Sequence, residues 1–136
     1  MFRKGYGSIE EEGTVSDVVV TVPMGLWYDW LEEGDLAGEE EEEPLYNSHF
    51  WIPSWSRPMI SLGERVYIVA HGKLRGYAPL TNIELRCVLR PERACLVRCG
   101  GAVAVTIPEP VRGFQGWRYR WWKREDEVPF PEWMVP

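Results

Sequence analysis

Long apolar runs are missing from this sequence. No stretch of about 18 apolar residues occurs, so no membrane-spanning helix is expected. The polar, glycine-containing Met1–Ser8 does not read as a secretory signal either. Cysteine is scarce and odd in number: Cys87, Cys95 and Cys99 do not make a disulfide framework, and free thiols fit a cytoplasmic chain. Of the two histidines, His49 and His71, neither is accompanied by a nucleophile motif, so no catalytic residue is assigned. A phosphate-cradling glycine loop is absent, since Gly100-Gly101 reads only as a turn. A zinc site drawn from Cys87, Cys95, Cys99 and a histidine is not expected. Cys95 and Cys99 flank a strand, which would hold an i, i+4 pair about 13 Å apart. No metal and no cofactor are therefore anticipated. Positive charge is also short, with 15 Lys and Arg against 21 Asp and Glu, a formal net charge of −6. That balance argues against polyanion binding by bulk attraction.

Aromatics are plentiful: eight Trp, six Tyr and four Phe. Each buried indole needs a partner for its N–H, so eight are hard to hide in 136 residues. They either line a cleft or interface, or build an aromatic core. Charge is uneven along the chain. Residues 1–60 hold 13 acids and three bases, whereas residues 61–136 hold eight acids and 12 bases. A molecule acidic in total can therefore still carry a basic cleft.

The clearest structural signal is Ser61–Glu84. Val66–Ala70 is a short apolar run that suits a buried strand, His71-Gly72-Lys73 a tight turn, and Leu74–Leu85 a second strand broken near Pro79. Ahead of it, residues 1–15 read as a flexible acidic arm, with one domain over 16–136. Asp17–Val22 reads as a strand, and a helix follows from Pro23 to its stop at Gly34. Trp27, Trp30 and Leu31 share one face of that helix and serve either as core or as a binding wall. Glu39, Glu40, Glu41, Glu42 and Glu43 form a self-repelling run that reads as a solvated loop or as a contact for a basic protein partner. Leu45–Pro58 is an aromatic, proline-broken segment. Beyond the hairpin, Ala94–Val97 and Ala102–Ile107 are expected to pair across Gly100-Gly101 as a second hairpin. Gly113–Trp122 alternates like a strand, and Glu125–Pro136, with three prolines, should run extended over the surface. The sum is an α+β chain: a small mixed β-barrel of five to six strands with one or two short helices.

Two segments, VVVTVPMGLWYDWLEEG and GERVYIVAHGKLRGYAPLTNIE, resemble the PUA-like superfamily, ASCH and EVE domains in particular. The resemblance implies a pseudo-barrel that binds RNA, modified bases or nucleotides in a cleft between the early helix, the loop after it and the barrel strands. By position it puts Trp27, Trp30, Trp51, Trp55 and Arg57 near one wall, with Lys73, Arg75 and Tyr77 following the hairpin turn. The Gly-x-Lys motif of ASCH domains has no counterpart in Gly34–Glu40, so the amidohydrolase-like activity of some members is not implied.

Interleaved bases and aromatics suit single-stranded nucleic acid, because rings stack bases and cations hold phosphates. Residues 112–124 fit this best, with Arg118, Arg120 and Trp121 as candidate ligands. The alternative is that these arginines pair with the acidic N-terminal half. Three functions follow from the sequence. The first is a nucleic-acid- or nucleotide-binding module with an aromatic and basic cleft. The second is a protein-interaction or inhibitor module, of the accessory kind that phages carry, acting through residues 39–43. The third is a small hydrolase of a modified nucleoside.

Overall fold

The computed structural model describes residues 16–36, 49–53, 55–84 and 92–135. The expected acidic arm over 1–15, the Glu39–Glu43 partner contact and Cys87 lie outside these residues. The elements in order are β1 (Val18–Thr21), α1 (Met24–Glu33), β2 (His49–Pro53), β3 (Arg65–Ala70), β4 (Lys73–Pro79), β5 (Asn82–Glu84), β6 (Arg93–Val97), β7 (Val105–Thr106), β8 (Trp117–Tyr119) and β9 (Val128–Pro129). The chain is thus α+β and dominated by sheet, but the single barrel of five to six strands is corrected. Nine described strands form three open sheets, ordered β4-β3-β1-β8, β2-β6-β5 and β7-β9.

At β1 and β3 the first sheet is covered on both faces, which is why these two strands are apolar without alternation. Val18, Val20, Val66 and Ile68 face one layer, built from Trp27 and Trp30 of α1 and from Ile52, Ala94 and Leu96 of the second sheet. Val19, Tyr67 and Val69 face the opposite layer, built from Val105, Ile107, Val111 and Trp122. β1 runs parallel to β3 and antiparallel to β8. The parallel step is made by α1 and the segment after it, as a crossover requires. α1 closes at Gly34, which takes φ +65° and donates its N–H to the Trp30 carbonyl at 2.9 Å.

The β3–β4 hairpin turns at His71 (φ +48°) and Gly72 (φ +77°), a pair of left-handed residues that matches the strand twist. The ladder slips between Ile68 and Val69, where Gly76 and then Leu74 are the partners, so Arg75 is the extra residue of a bulge. At Gly76 a side chain would meet the Val103 carbonyl at 2.6 Å, because residues 103–104 cross directly over the strand. Tyr77 and Val103 exchange backbone hydrogen bonds there.

That crossing explains a second correction. Ala94–Val97 and Ala102–Ile107 do not pair with each other. β6 lies between β2 and β5, while Val103 bridges to Tyr77 and β7 pairs with β9. Gly100 and Gly101 do turn, at φ +76° and +74°, but they redirect the chain from one sheet to another. The C-terminal stretch also departs from a plain surface run. It forms a 3-10 turn at Arg124–Asp126, then β9, and it packs Trp133 edge-on against Trp27 at 5.8 Å.

Polar groups lock the layers. The Asp17 side chain, fully buried, accepts the Arg65 backbone N–H and pairs with the guanidiniums of Arg120 and Arg124. Arg75 and Arg98 are buried and donate to carbonyls: Arg75 to Ala70, Trp133 and Val135, Arg98 to Val66 and Leu36. Burial pushes both below the usual guanidinium range, Arg98 to about 9. Glu127 gathers the hydroxyl of Tyr67, the indole N–H of Trp122 and the guanidinium of Arg65.

Burial and then the bond to Glu127 hold the Tyr67 phenol above its ordinary value of 10. A phenol raised on folding contributes stability that is complete below the unfolded value and is lost as pH rises above it. Urea midpoints should therefore fall above about pH 10. Tyr67→Phe should flatten that fall, and an unchanged alkaline slope would show that Tyr67 titrates normally. No helix of the described residues is long and apolar enough to cross a membrane.

Candidate ligand-binding cleft

A cleft of about 680 Å³ opens where the first sheet meets the second. That volume falls within the usual range for small-ligand sites. Its walls come from three places: Val20, Thr21 and Pro23 at the end of β1, Phe50, Trp51 and Pro53 of β2 with Arg93 of β6, and the loop Phe114-Gln115-Gly116 ahead of β8.

The loop is held by short-range chemistry. The Phe114 N–H donates to Thr21 Oγ1 at 3.1 Å, and Gly113 sits so close to the Thr21 methyl that a Cβ would stand 3.2 Å from it. Gly116 takes φ +76° to turn the chain into β8, and the Trp117 indole N–H donates to the Ser56 carbonyl at 2.6 Å. On β2, alternation sends Ile52 into the core and leaves Trp51 37% exposed at the cleft. Arg93 stands opposite Pro53 across the β2–β6 ladder. Among the described residues Arg93 is the one charged side chain lining the cleft, and no carboxylate joins it. The site thus offers aromatic faces, one guanidinium, an amide and a hydroxyl in a molecule that is otherwise acidic.

The residues expected to form one ligand wall are distributed quite differently. Trp51 does line the cleft. Arg118 and Trp121 are exposed and do not line the cleft, but both touch its Phe114: the guanidinium lies 4.4 Å from that ring's centroid, and the Trp121 ring meets it edge-on at 6.3 Å. Trp55 (85% exposed) and Arg57 are on the surface after β2, and neither lines the cleft.

Trp27 and Trp30 are corrected to core. Both are buried, with ring centroids 5.7 Å apart, and Trp27 is fully enclosed. Arg75 is corrected to a structural role, since the bulge turns it inward to carbonyls and the Trp27 ring, 5.3 Å away. Arg120 serves Asp17 rather than a ligand. Arg120 and Arg124 therefore follow the alternative reading, in which they pair with an acid of the N-terminal half. Tyr77 is half-buried between Tyr67 and the Arg65 guanidinium. Lys73 is exposed beside a different hollow of about 310 Å³, shared with His71, Glu109 and Phe130.

Phe114, Gln115 and Arg93 were not singled out from sequence. Arg93 sits in a basic segment before a strand, and nothing local marks its side chain as cleft-facing. Phe114 and Gln115 lie within the aromatic and basic stretch 112–124, so composition marks their segment but not their side chains.

No curated protein and no solved structure matches the chain. A family model described as a protein of unknown function, DUF1489, matches residues 29–129. The matched segment runs from within α1 to the end of β9 and takes in β2, β6 and the loop before β8, so the chain belongs to the DUF1489 family.

Proposed function

We propose that this protein binds a nucleotide or a single-stranded nucleic-acid segment in the cleft at Trp51. The observation that carries the reading is the lining itself: exposed Trp51 and half-buried Phe50 and Phe114 beside Arg93 and Gln115, with no acid among the described lining residues. An aromatic face stacks a base, a guanidinium holds a phosphate, and an amide reads a base edge. Arg118 and Trp121, exposed and set against Phe114, add a second cation and a second ring next to that wall. The PUA-like resemblance of the β1–α1 and β3–β4 sequences implies the same ligand class, although the three open sheets are not the pseudo-barrel it also implies. A cytoplasmic site of action goes with this reading.

The test is fluorescence anisotropy of short labelled DNA and RNA oligonucleotides at low and moderate salt, with mononucleotides as competitors. Trp51→Ala should weaken binding by the roughly 1–3 kcal/mol that one stacked base contributes, about 5- to 150-fold. Arg93→Ala should reduce the salt slope by about one. Absence of binding at low salt, or equal affinity in Trp51→Ala, would overturn the proposal.

A further inference from the structure

We infer that His49, Glu84 and Cys95 form a binding site for a transition-metal ion of the zinc class on the second sheet. Their candidate ligand atoms all lie within 4.8 Å of one another. The sheet register explains why. β6 is the central strand between β2 and β5. Glu84 stands directly opposite Cys95, and Trp51 stands opposite Cys95 on the other side. His49 is two residues before Trp51 and so projects from the same face. The alternate residues Phe50, Ile52, Ile83, Ala94 and Leu96 take the opposite face and belong to the core cluster. Three strands thus deliver one ligand each to a single point, with the cysteine in the middle.

The donor set fits the metal class. Thiolate and imidazole together favour zinc and its neighbours over calcium or magnesium, and a carboxylate completes three protein ligands. Tetrahedral zinc with ordinary Zn–S, Zn–N and Zn–O bonds would place those atoms about 3.4–3.6 Å apart. The observed limit of 4.8 Å is therefore closed by a shift of about an ångström. Glu84 is exposed on a strand at the sheet edge, and its long side chain can make that shift. Cys95 is buried and His49 half-buried, so two ligands are already held by the fold. Three protein ligands among the described residues is the number that zinc sites which do chemistry draw from the protein. Trp51, the cross-strand neighbour of Cys95, also lines the cleft, so a metal here would sit beside that cleft.

The experiment is titration of the reduced protein with Co²⁺, followed by displacement with Zn²⁺. Wild-type protein should take up one cobalt with a thiolate-to-metal charge-transfer band, and zinc should abolish the band. Uptake should weaken as pH falls, because the imidazole and thiol must lose their protons. Glu84→Gln, at an exposed position, should weaken binding about tenfold or more. His49→Ala and Cys95→Ser should remove the band, with circular dichroism confirming the fold of each. A protein that takes up no cobalt overturns the inference. So does a charge-transfer band that survives in Cys95→Ser, or unchanged affinity in both Glu84→Gln and His49→Ala. The readout is the metal alone, so it is independent of nucleotide binding.

Discussion

Trp27→Ala lowers the unfolding free energy by about 3–5 kcal/mol, the range for truncating a large buried aromatic. Trp27 is fully enclosed between α1, β4 and the C-terminal segment. Its ring lies 5.7 Å from Trp30 and 5.8 Å from Trp133, and the buried Arg75 guanidinium faces it at 5.3 Å. Truncation opens a cavity and also strips the aromatic face from a buried cation, whose desolvation that face helps to offset. The indole N–H has no hydrogen-bond partner among the described residues. Trp27→Phe keeps an aromatic ring in place and leaves a smaller cavity, so it should cost less than Trp27→Ala. Urea denaturation of the two variants checks this. A Trp27→Ala protein of wild-type stability that had lost oligonucleotide binding would restore Trp27 to a ligand wall.

Asp17→Ala should cost about 3 kcal/mol, the low end of the range for breaking a buried pair. The carboxylate is fully buried and serves three elements at once: the start of β3 through the Arg65 N–H, the end of β8 through Arg120, and the 3-10 turn through Arg124. Removing it takes the acceptor from the half-buried Arg65 N–H and the counter-charge from two guanidiniums. The low end applies because Arg124 is already 40% exposed and can turn to water. For the same reason Arg124→Ala alone should cost only about 1 kcal/mol or less. Thermal or urea unfolding should rank the two variants in that order; equal losses would mean that Asp17 depends on Arg124 alone.

The local parts of the fold were legible in sequence, and the long-range parts were not. Pro23 and Gly34 bracket a helix whatever it packs on, and His71-Gly72 turns a hairpin because the turn demands left-handed residues. The partner of a strand is another matter. Ala94–Val97 and Ala102–Ile107 read as a hairpin because two glycines separate them, yet the crossing at Gly76 and Val103 draws the second segment to another sheet. Aromatic content located the cleft only in part. Trp51 and Trp27 look alike as letters, and strand alternation against helix burial sends one to solvent and the other to the core. An arginine's letter does not say whether it meets a ligand or the fold: Arg75 and Arg98 donate to buried carbonyls, and Arg120 pairs with Asp17 as the alternative reading of that stretch expects. The His49, Glu84 and Cys95 cluster joins residues far apart in the chain, and linear spacing of the cysteines pointed away from any metal. Only the β2-β6-β5 register brings them together.

Ligand binding at the Trp51 cleft is tested by recording backbone and indole N–H spectra of the isotope-labelled protein while a short single-stranded oligonucleotide is added. Shifts should concentrate on the Trp51 indole, Arg93, Phe114, Gln115 and Gly116, and leave the Trp27 and Trp30 indoles nearly unmoved. Shifts centred on Glu39–Glu43, on Arg57 or on Lys73, or no shifts at all, would contradict binding at this cleft.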